Sequence, residues 1–459
     1  MTVSAPSAGV APQPKPRGKG GGWWLSLLLG TAVGWVYMAN GRAVNSPDTF
    51  PTALTTLALL SGEGIYLDRF FPETPGGPNR IWYGSARKHG HVVSRYPILP
   101  ALLVMPMAAA TGTIADRTNP GWKRDPVKGP NFILSFCRLG ASALVVLAAV
   151  VLHRILWAIG LGACRVSVPA VLAAALGSDL WAIGALSIWQ HGPAALMLTL
   201  TAWLLLPTDP SRPRVFLAGV TAALMVACRA TDLVFAVAAL GFVIVATPRK
   251  LVWFLPAPIL IGVALIGYNL WFFNNLAGGQ AELETLHPET HAVLGPWSGD
   301  LIGGFLGTML SPNRGLLVFS PWVAVTLATV PFFARRADPP PILRYLFVAL
   351  IPYTLVLSKY AVWWGGHSFG PRYWTDVMPL LAIGLAYSLD WAHQHCRPVA
   401  AVAAVSIALS IGVQVIGAFY YPSDWNSHPT NVDIHHERLW DWRDNELWRC
   451  LTTGLKSGV

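Results

Sequence analysis

Short polar strings interrupt an otherwise apolar chain, and several hold residue types that could carry chemistry. Asn45-Ser46-Pro47-Asp48-Thr49 follows the first apolar run and places a lone carboxylate, Asp48, at the outer membrane face, a candidate functional group. The same residues also suit a turn or a helix N-cap ahead of Ala53-Leu54. Gly62-Glu63-Gly64 and His89-Gly90-His91-Val92-Val93-Ser94-Arg95-Tyr96-Pro97 add Glu63, His91, Arg95 and Tyr96, either as cavity residues or as an interfacial polar cluster. Ser311-Pro312-Asn313-Arg314-Gly315 places Arg314 where the chain re-enters an apolar run, so its guanidinium either snorkels to head groups or holds a bound phosphate. In Trp363-Trp364-Gly365-Gly366-His367-Ser368-Phe369-Gly370-Pro371-Arg372-Tyr373, paired tryptophans read as interfacial anchors. The glycines around His367, Arg372 and Tyr373 let backbone come close to a ligand.

His191, after Trp189-Gln190, opens an apolar run and is a further cavity candidate. Arg138, Asp179, Arg229 and Asp232 are ionisable groups inside or beside apolar runs, which makes each a functional candidate by default. For Arg229 and Asp232, mutual neutralisation at helical spacing is the simpler expectation. His287-Pro288-Glu289-Thr290-His291 has metal-ligand residue types but no further ligand nearby in sequence, so metal use stays open: no cofactor is certain, and a divalent ion is the one candidate.

The elements that must position these residues are membrane spans. Of the 459 residues, 54% are hydrophobic and 12% charged, which excludes an ordinary soluble protein with a charged surface. The net charge of +10 comes largely from short basic clusters between apolar runs, a topological pattern rather than a nucleic-acid footprint. Cys137, Cys164, Cys228, Cys396 and Cys450 form no CxxC pair and support neither a zinc site nor a disulfide framework. Apolar runs at 23–39, 131–152, 167–187, 192–207, 215–229, 231–247, 251–273, 317–334, 342–358, 376–392 and 398–419 predict an all-α integral membrane protein of about eleven spans. The shorter run 97–112, with Pro97, Pro100 and Pro106, is read as re-entrant or interfacial. With that run kept on one side, the basic loops at Arg154/Arg165, Arg212/Arg214, Arg249/Lys250, Arg335/Arg336 and Arg397 all face the cytoplasm. The expected organisation is a disordered cytoplasmic tail over 1–22, a polytopic domain over 23–419 with outer loops 40–131, 274–316 and 359–375, and a periplasmic tail over 420–459 that folds over the outer mouth.

Taken in order, the basic tail, single span, outer Asp48, helix ending at Gly62-Glu63-Gly64 and Ser94-Arg95-Tyr96-Pro97 resemble the GT-C glycosyltransferase superfamily. The similarity is greatest to bacterial relatives of protein O-mannosyltransferases and lipid A aminoarabinose transferases. Phe369-Gly370-Pro371-Arg372-Tyr373, with Pro379 beyond it, is similar to the Arg-Tyr…Pro element of that group. Ser311-Pro312-Asn313-Arg314-Gly315 and the Trp440-Asp441-Trp442 tail look like a large bacterial branch of it. The sequence departs from the commoner pattern at Thr49, where an Asp-Glu pair often stands, and at Gln190-His191, where many relatives carry an acid.

The resemblance implies a bacterial inner-membrane enzyme with its active site on the periplasmic side. It implies a polyprenyl-phosphate sugar donor and a glycan, lipid or protein acceptor. Asp48 falls on the position of the catalytic base, and Arg372 with Arg95 or Arg314 would hold the donor phosphate. A transporter or lipid flippase, and a non-catalytic assembly subunit of the same fold, are the competing readings.

Overall fold

The computed structural model describes residues 22–44, 46–72, 81–291, 293–334 and 339–456. The expected disordered tail before Gly22, Asn45, Arg80 and the basic pair Arg335/Arg336 lie outside the described residues.

The chain is helical almost throughout. In order come α1 (Gly22–Met38), α2 (Phe50–Leu60), a hairpin of β1 (Ser85–Lys88) and β2 (His91–Ser94), α3 (Leu99–Thr118), α4 (Lys128–Ala158), α5 (Cys164–Leu176), α6 (His191–Leu204), α7 (Arg212–Cys228) and α8 (Leu233–Ala246). There follow α9 (Leu251–Phe254), α10 (Pro256–Phe273), α11 (Gly279–Glu284), α12 (Leu301–Leu310), α13 (Leu316–Phe319), α14 (Trp322–Ala334), α15 (Pro341–Lys359), α16 (Met378–His395), α17 (Arg397–Tyr420) and α18 (Glu446–Thr453). The apolar runs read from the sequence are largely helical among the described residues, with breaks inside 167–187, 251–273 and 317–334, as expected where backbone N–H and C=O groups have no water to bond. Proline marks several starts, at Pro100, Pro213, Pro379 and Pro398, because the first helical turn has no use for its missing N–H.

Five of the described helices are long and apolar enough to cross a membrane: Leu99–Thr118, Lys128–Ala158, Pro248–Phe273, Pro341–Lys359 and Arg397–Tyr420. α6 and α16 are buried along nearly their whole length and form the centre of the packing, with α5 against α16 and α4 and α7 against α6. The outer faces are apolar and uncovered: Leu260 of α10 is 72% exposed and Leu409 of α17 is 59% exposed. Apolar outside as well as inside is the pattern of a helical membrane protein.

Within the run 97–112 the chain is helical from Leu99 and continues to Thr118, with Pro106 inside the helix. Val104 of α3 packs on Gly140 of α4, and Gly112 lies beside Trp122 in the connection, so α3 runs back along the first part of α4. Arg138, ten residues into α4, donates to the Tyr37 carbonyl at 2.8 Å and to Asn40 Oδ1 at 2.9 Å, so it is level with the end of α1. At 31 residues α4 is about 46 Å long, well over a hydrocarbon core of about 30 Å. α3 therefore lies beside the portion of α4 that extends past the end of α1. The run 167–187 is not one helix either: α5 stops before Gly177, and Leu180–Ala185 forms a buried π-helical turn.

The tail after α17 folds back on the helical ends. Trp425 is fully buried, with the guanidinium groups of Arg314 and Arg438 over its ring at 5.2 and 4.8 Å. Trp364 does not serve as a lipid-facing anchor; it is buried and donates to Asp433 of the tail at 2.7 Å.

Candidate functional site

The site is assembled on Asp48 from segments far apart in sequence. Pro47-Asp48-Thr49 forms a turn before α2, and Ser187 donates to the Thr49 hydroxyl at 2.8 Å, tying that turn to the segment after the π-helix. The Asp48 side chain caps no helix. Its Oδ1 accepts from Tyr96 at 2.8 Å and from the Tyr83 hydroxyl, and its Oδ2 accepts from Arg372 at 2.6 Å.

Hairpin register explains the two tyrosines. His89 and Gly90, both at positive φ, make a tight two-residue turn, and the pairing runs from Lys88↔His91 to Ser85↔Ser94. Continued two residues past the strands, that register sets Tyr83 opposite Tyr96, so both hydroxyls reach one carboxylate. Arg95 donates to the Tyr83 carbonyl and pairs through Nε with Glu282 of α11 at 3.0 Å; Lys88 pairs with the same Glu282. α11 sits so close that a Cβ on Gly279 would run into the Arg95 backbone.

Arg372 is delivered by a 3₁₀ turn over Arg372–Val377. Beneath it the buried Asp376 accepts from Arg229 and contacts His191 Nδ1 at 2.8 Å, while Tyr353 donates to the Tyr373 carbonyl at 2.6 Å and accepts from Arg229 at 2.8 Å. The expected Arg229–Asp232 pairing is thereby corrected. Arg229 ends α7 in extended conformation, so the two residues are not at helical spacing and the guanidinium turns to Asp376. The Arg372 guanidinium lies against the rings of Trp189 at 4.9 Å and Tyr373 at 5.4 Å. Gly365, at φ +77°, leaves room for it, since a Cβ there would come within 3.0 Å of Nε. That Nε is buried without a hydrogen-bond partner.

Burial works to raise the Asp48 pKa, but the Arg372 charge and the hydrogen bonds from Arg372, Tyr83 and Tyr96 hold it below the usual carboxylate value. Burial likewise works against charge on Arg372, and Asp48 overrides it, so the guanidinium stays protonated. Tyr83 and Tyr96 are pushed well above the usual phenol value, by burial first and then by the Asp48 charge; they are donors at any ordinary pH.

Asp48, Tyr83, Tyr96, Arg372 and Tyr373 line one cavity of about 380 Å³. Gln280, Glu284 and His287 form another wall, and His367 and Asp433 close it from the tail side, 3.2 Å apart. Of the residues proposed from sequence, Asp48, Tyr96, His287, His367, Arg372 and Tyr373 are thus brought together, and Glu63, His91, Arg95, His191 and Arg314 do not line the cavity. Arg95 braces Tyr83 and does not line the cavity. Arg314 is sequestered: it pairs with buried Glu446 at 2.8 Å and bonds Asn426 at 2.6 Å and the Gly366 carbonyl at 3.2 Å. His91 pairs with Asp68 at 2.9 Å and stacks on Tyr66, and Glu63 pairs with Arg69 at 2.8 Å. His191 supports the Arg372 turn from below.

Over Pro288–His291 the His-x-Glu-x-His string forms a 3₁₀ turn in which His291 Nε2 is within 2.8 Å of the Thr285 carbonyl. Among the described residues no group of three or more His, Cys, Asp or Glu side chains converges as a metal-ligand set. Sequence reading missed Tyr83, Gln280, Glu284 and Asp433. For Tyr83 the signal was present, as the hairpin turn at His89-Gly90 pairs it with Tyr96; for the others no local motif exists. Compared with protein-family models, with curated proteins and with solved structures, the chain matches none.

Proposed function

We propose that the protein transfers a sugar from a polyprenyl-phosphate donor to an acceptor hydroxyl at the outer face of a bacterial inner membrane. On this reading about eleven spans carry the site, with the N-terminus cytoplasmic and the tail outside. The observation that supports it is the Asp48–Arg372 pair, a carboxylate and a guanidinium 2.6 Å apart on the wall of a cavity. The sequence resemblance to GT-C enzymes, in which an acid at the Asp48 position is the base, adds to it.

The chemistry matches that pair. The acceptor oxygen attacks the anomeric carbon from the face opposite the phosphate and its proton passes to Asp48. The bond from the anomeric carbon to the phosphate oxygen breaks, and its electron pair leaves with the phosphate. That leaving group is already a stable anion, so no acid is needed to protonate it, unlike the two-carboxylate arrangement of glycoside hydrolysis. Arg372 stabilises the departing polyprenyl phosphate through charge-assisted hydrogen bonds. Arg95 keeps a part in this scheme as the brace of Tyr83, and Arg314 as an anchor of the tail. Inversion at the anomeric carbon follows from a single displacement.

The test is transfer by purified protein from a panel of radiolabelled polyprenyl-phosphate sugars to envelope acceptors, comparing wild type with Asp48→Asn. Transfer that collapses in the folded variant supports the proposal. Equal transfer in both removes Asp48 as base, and donor translocation without transfer would turn the reading to a flippase.

A further inference from the structure

Resting on that proposed transferase reading, we infer that the acceptor is a carbohydrate, and that Gln280, Glu284 and His287 form the subsite that holds its hydroxyl groups. The residues are spaced as one helical face: Gln280, Leu283, Glu284 and His287 follow the i, i+3, i+4, i+7 pattern through α11 and the turn after it, and all four line the cavity. Glu282, on the other side of α11, pairs with Lys88 and Arg95 and so fixes which face turns inward. Close packing of Gly279 on the Arg95 backbone ties that face to the same segment that carries Tyr96 and braces Tyr83.

The chemistry of this wall suits vicinal hydroxyls. Glu284 lines the cavity, accepts from Gln280 at 3.5 Å and also bonds Tyr360, and a carboxylate has about four acceptor sites, more than these two bonds use. Gln280 adds a donor and an acceptor, and His287 adds one of each in its neutral form. Tyr360 and Tyr373 lie edge to face at 5.7 Å and, with Trp189, supply aromatic surface for the apolar face of a sugar ring. One common mode of peptide recognition adds a strand to a sheet edge, and neither strand of the described hairpin lines the cavity. Leu283 and Leu286 share this wall, and it is the polar groups of Gln280, Glu284 and His287 beside them that favour a hydroxyl-rich acceptor over a wholly apolar one.

The experiment has a binding arm and a turnover arm. Saturation-transfer NMR in detergent, with short neutral oligosaccharides as probes, should show ring protons next to vicinal hydroxyls in contact with wild type and Asp48→Asn, and lost in Gln280→Ala/Glu284→Gln. In transfer assays the same double variant should raise the acceptor KM about tenfold or more, as expected for lost hydrogen bonds to a charged group. Its affinity for undecaprenyl phosphate should be unchanged. Binding of a peptide pool instead of the oligosaccharides, or an acceptor KM unmoved by the double variant, overturns the inference while leaving Asp48 as base. Transfer that survives Asp48→Asn overturns the underlying transferase scheme, whatever the α11 variants do.

Discussion

Arg314 was a candidate phosphate ligand by sequence and is a buried tail anchor by structure, and Glu446→Gln separates the two roles. Arg314 and Glu446 side chains are 1% and 0% exposed and 2.8 Å apart. Arg314 also bonds Asn426 of the tail and the carbonyl of Gly366, a cavity residue. Removing one partner of a buried pair costs about 3–5 kcal/mol, because the other charge is left uncompensated. At about 1.4 kcal/mol per factor of ten, tail docking shifts by about a hundred- to a few thousand-fold. Hydrogen exchange of amides over 424–440, followed by mass spectrometry in detergent, reads that shift directly, and protease cleavage in the tail should rise with it. The double change Arg314→Met/Glu446→Met should recover most of the protection, since a buried pair replaced by apolar groups of similar volume is often neutral. The reasoning is refuted if Glu446→Gln leaves tail protection at the wild-type level. It is equally refuted if Arg314→Met weakens undecaprenyl phosphate binding with the tail still docked, for then Arg314 holds phosphate after all.

Asp376→Asn should loosen the Arg372 turn, since it strips the charge partner from Arg229; heat inactivation should accelerate, and undecaprenyl phosphate affinity should fall together with it. Gly279→Ala should displace α11 from the Arg95 backbone and lower transfer at least tenfold without unfolding the spans, as circular dichroism and the transfer assay would reveal together. His367 has its pKa raised from 6.5, first by its hydrogen bond to Asp433, with burial opposing. A raised value means the stabilisation is complete below pH 6.5 and is lost as pH rises through the folded pKa. The side chains are 40% and 24% exposed, so the effect is a few tenths of a kcal/mol, about that of a screened surface pair; exchange near 431–433 should quicken above neutral pH and lose that dependence in His367→Ala. For Asp48, whose pKa in the free site is held down against the pull of burial, kcat/KM should fall only as pH drops below the ordinary carboxylate range. Because donor phosphate draws on Arg372, the acid limb of kcat should lie at higher pH than that of kcat/KM, and coincident limbs would count against shared use of Arg372.

Local rules made the helices legible, while the pairings between them were not. Most of the apolar residues lie in helix because period and composition act within a few residues, while breaks such as that at Gly177 are set by packing. Asp48 and Arg372 were singled out separately as polar residues at the ends of apolar runs, but their contact spans 324 positions and follows from packing. The run 97–112 is read as re-entrant or interfacial from the basic loops around it, and it is helical from Leu99: Pro100 sits in the first turn of α3, where it costs nothing, and Pro106 is accommodated inside the helix. Arg314 and Arg372 look alike in sequence, each after a glycine- or proline-bearing turn. What parts them is Glu446, which lies 132 residues from Arg314 and is recognisable as its partner only once the tail has folded back. Glu284 and Asp433 enter the cavity from segments with no motif at all, because a wall needs only a side chain at the right place on a fold.

In the proposed scheme the base is held in an ion pair, and the lowered pKa of Asp48 weakens its pull on a proton. The arrangement makes sense if the pair is the resting form of the site. Arg372 has fixed support from below, through the turn that Asp376, Arg229 and His191 secure, and aromatic rings at its sides. It is therefore a cation whose position does not depend on Asp48. A phosphate that takes hydrogen bonds from this guanidinium withdraws charge stabilisation from the carboxylate, and the burial that already works to raise the Asp48 pKa then prevails. Tyr83 and Tyr96 continue to hold the carboxylate in place while its basicity rises. On this reading donor binding prepares the base, and an acceptor that arrives first meets a carboxylate too weakly basic to activate it.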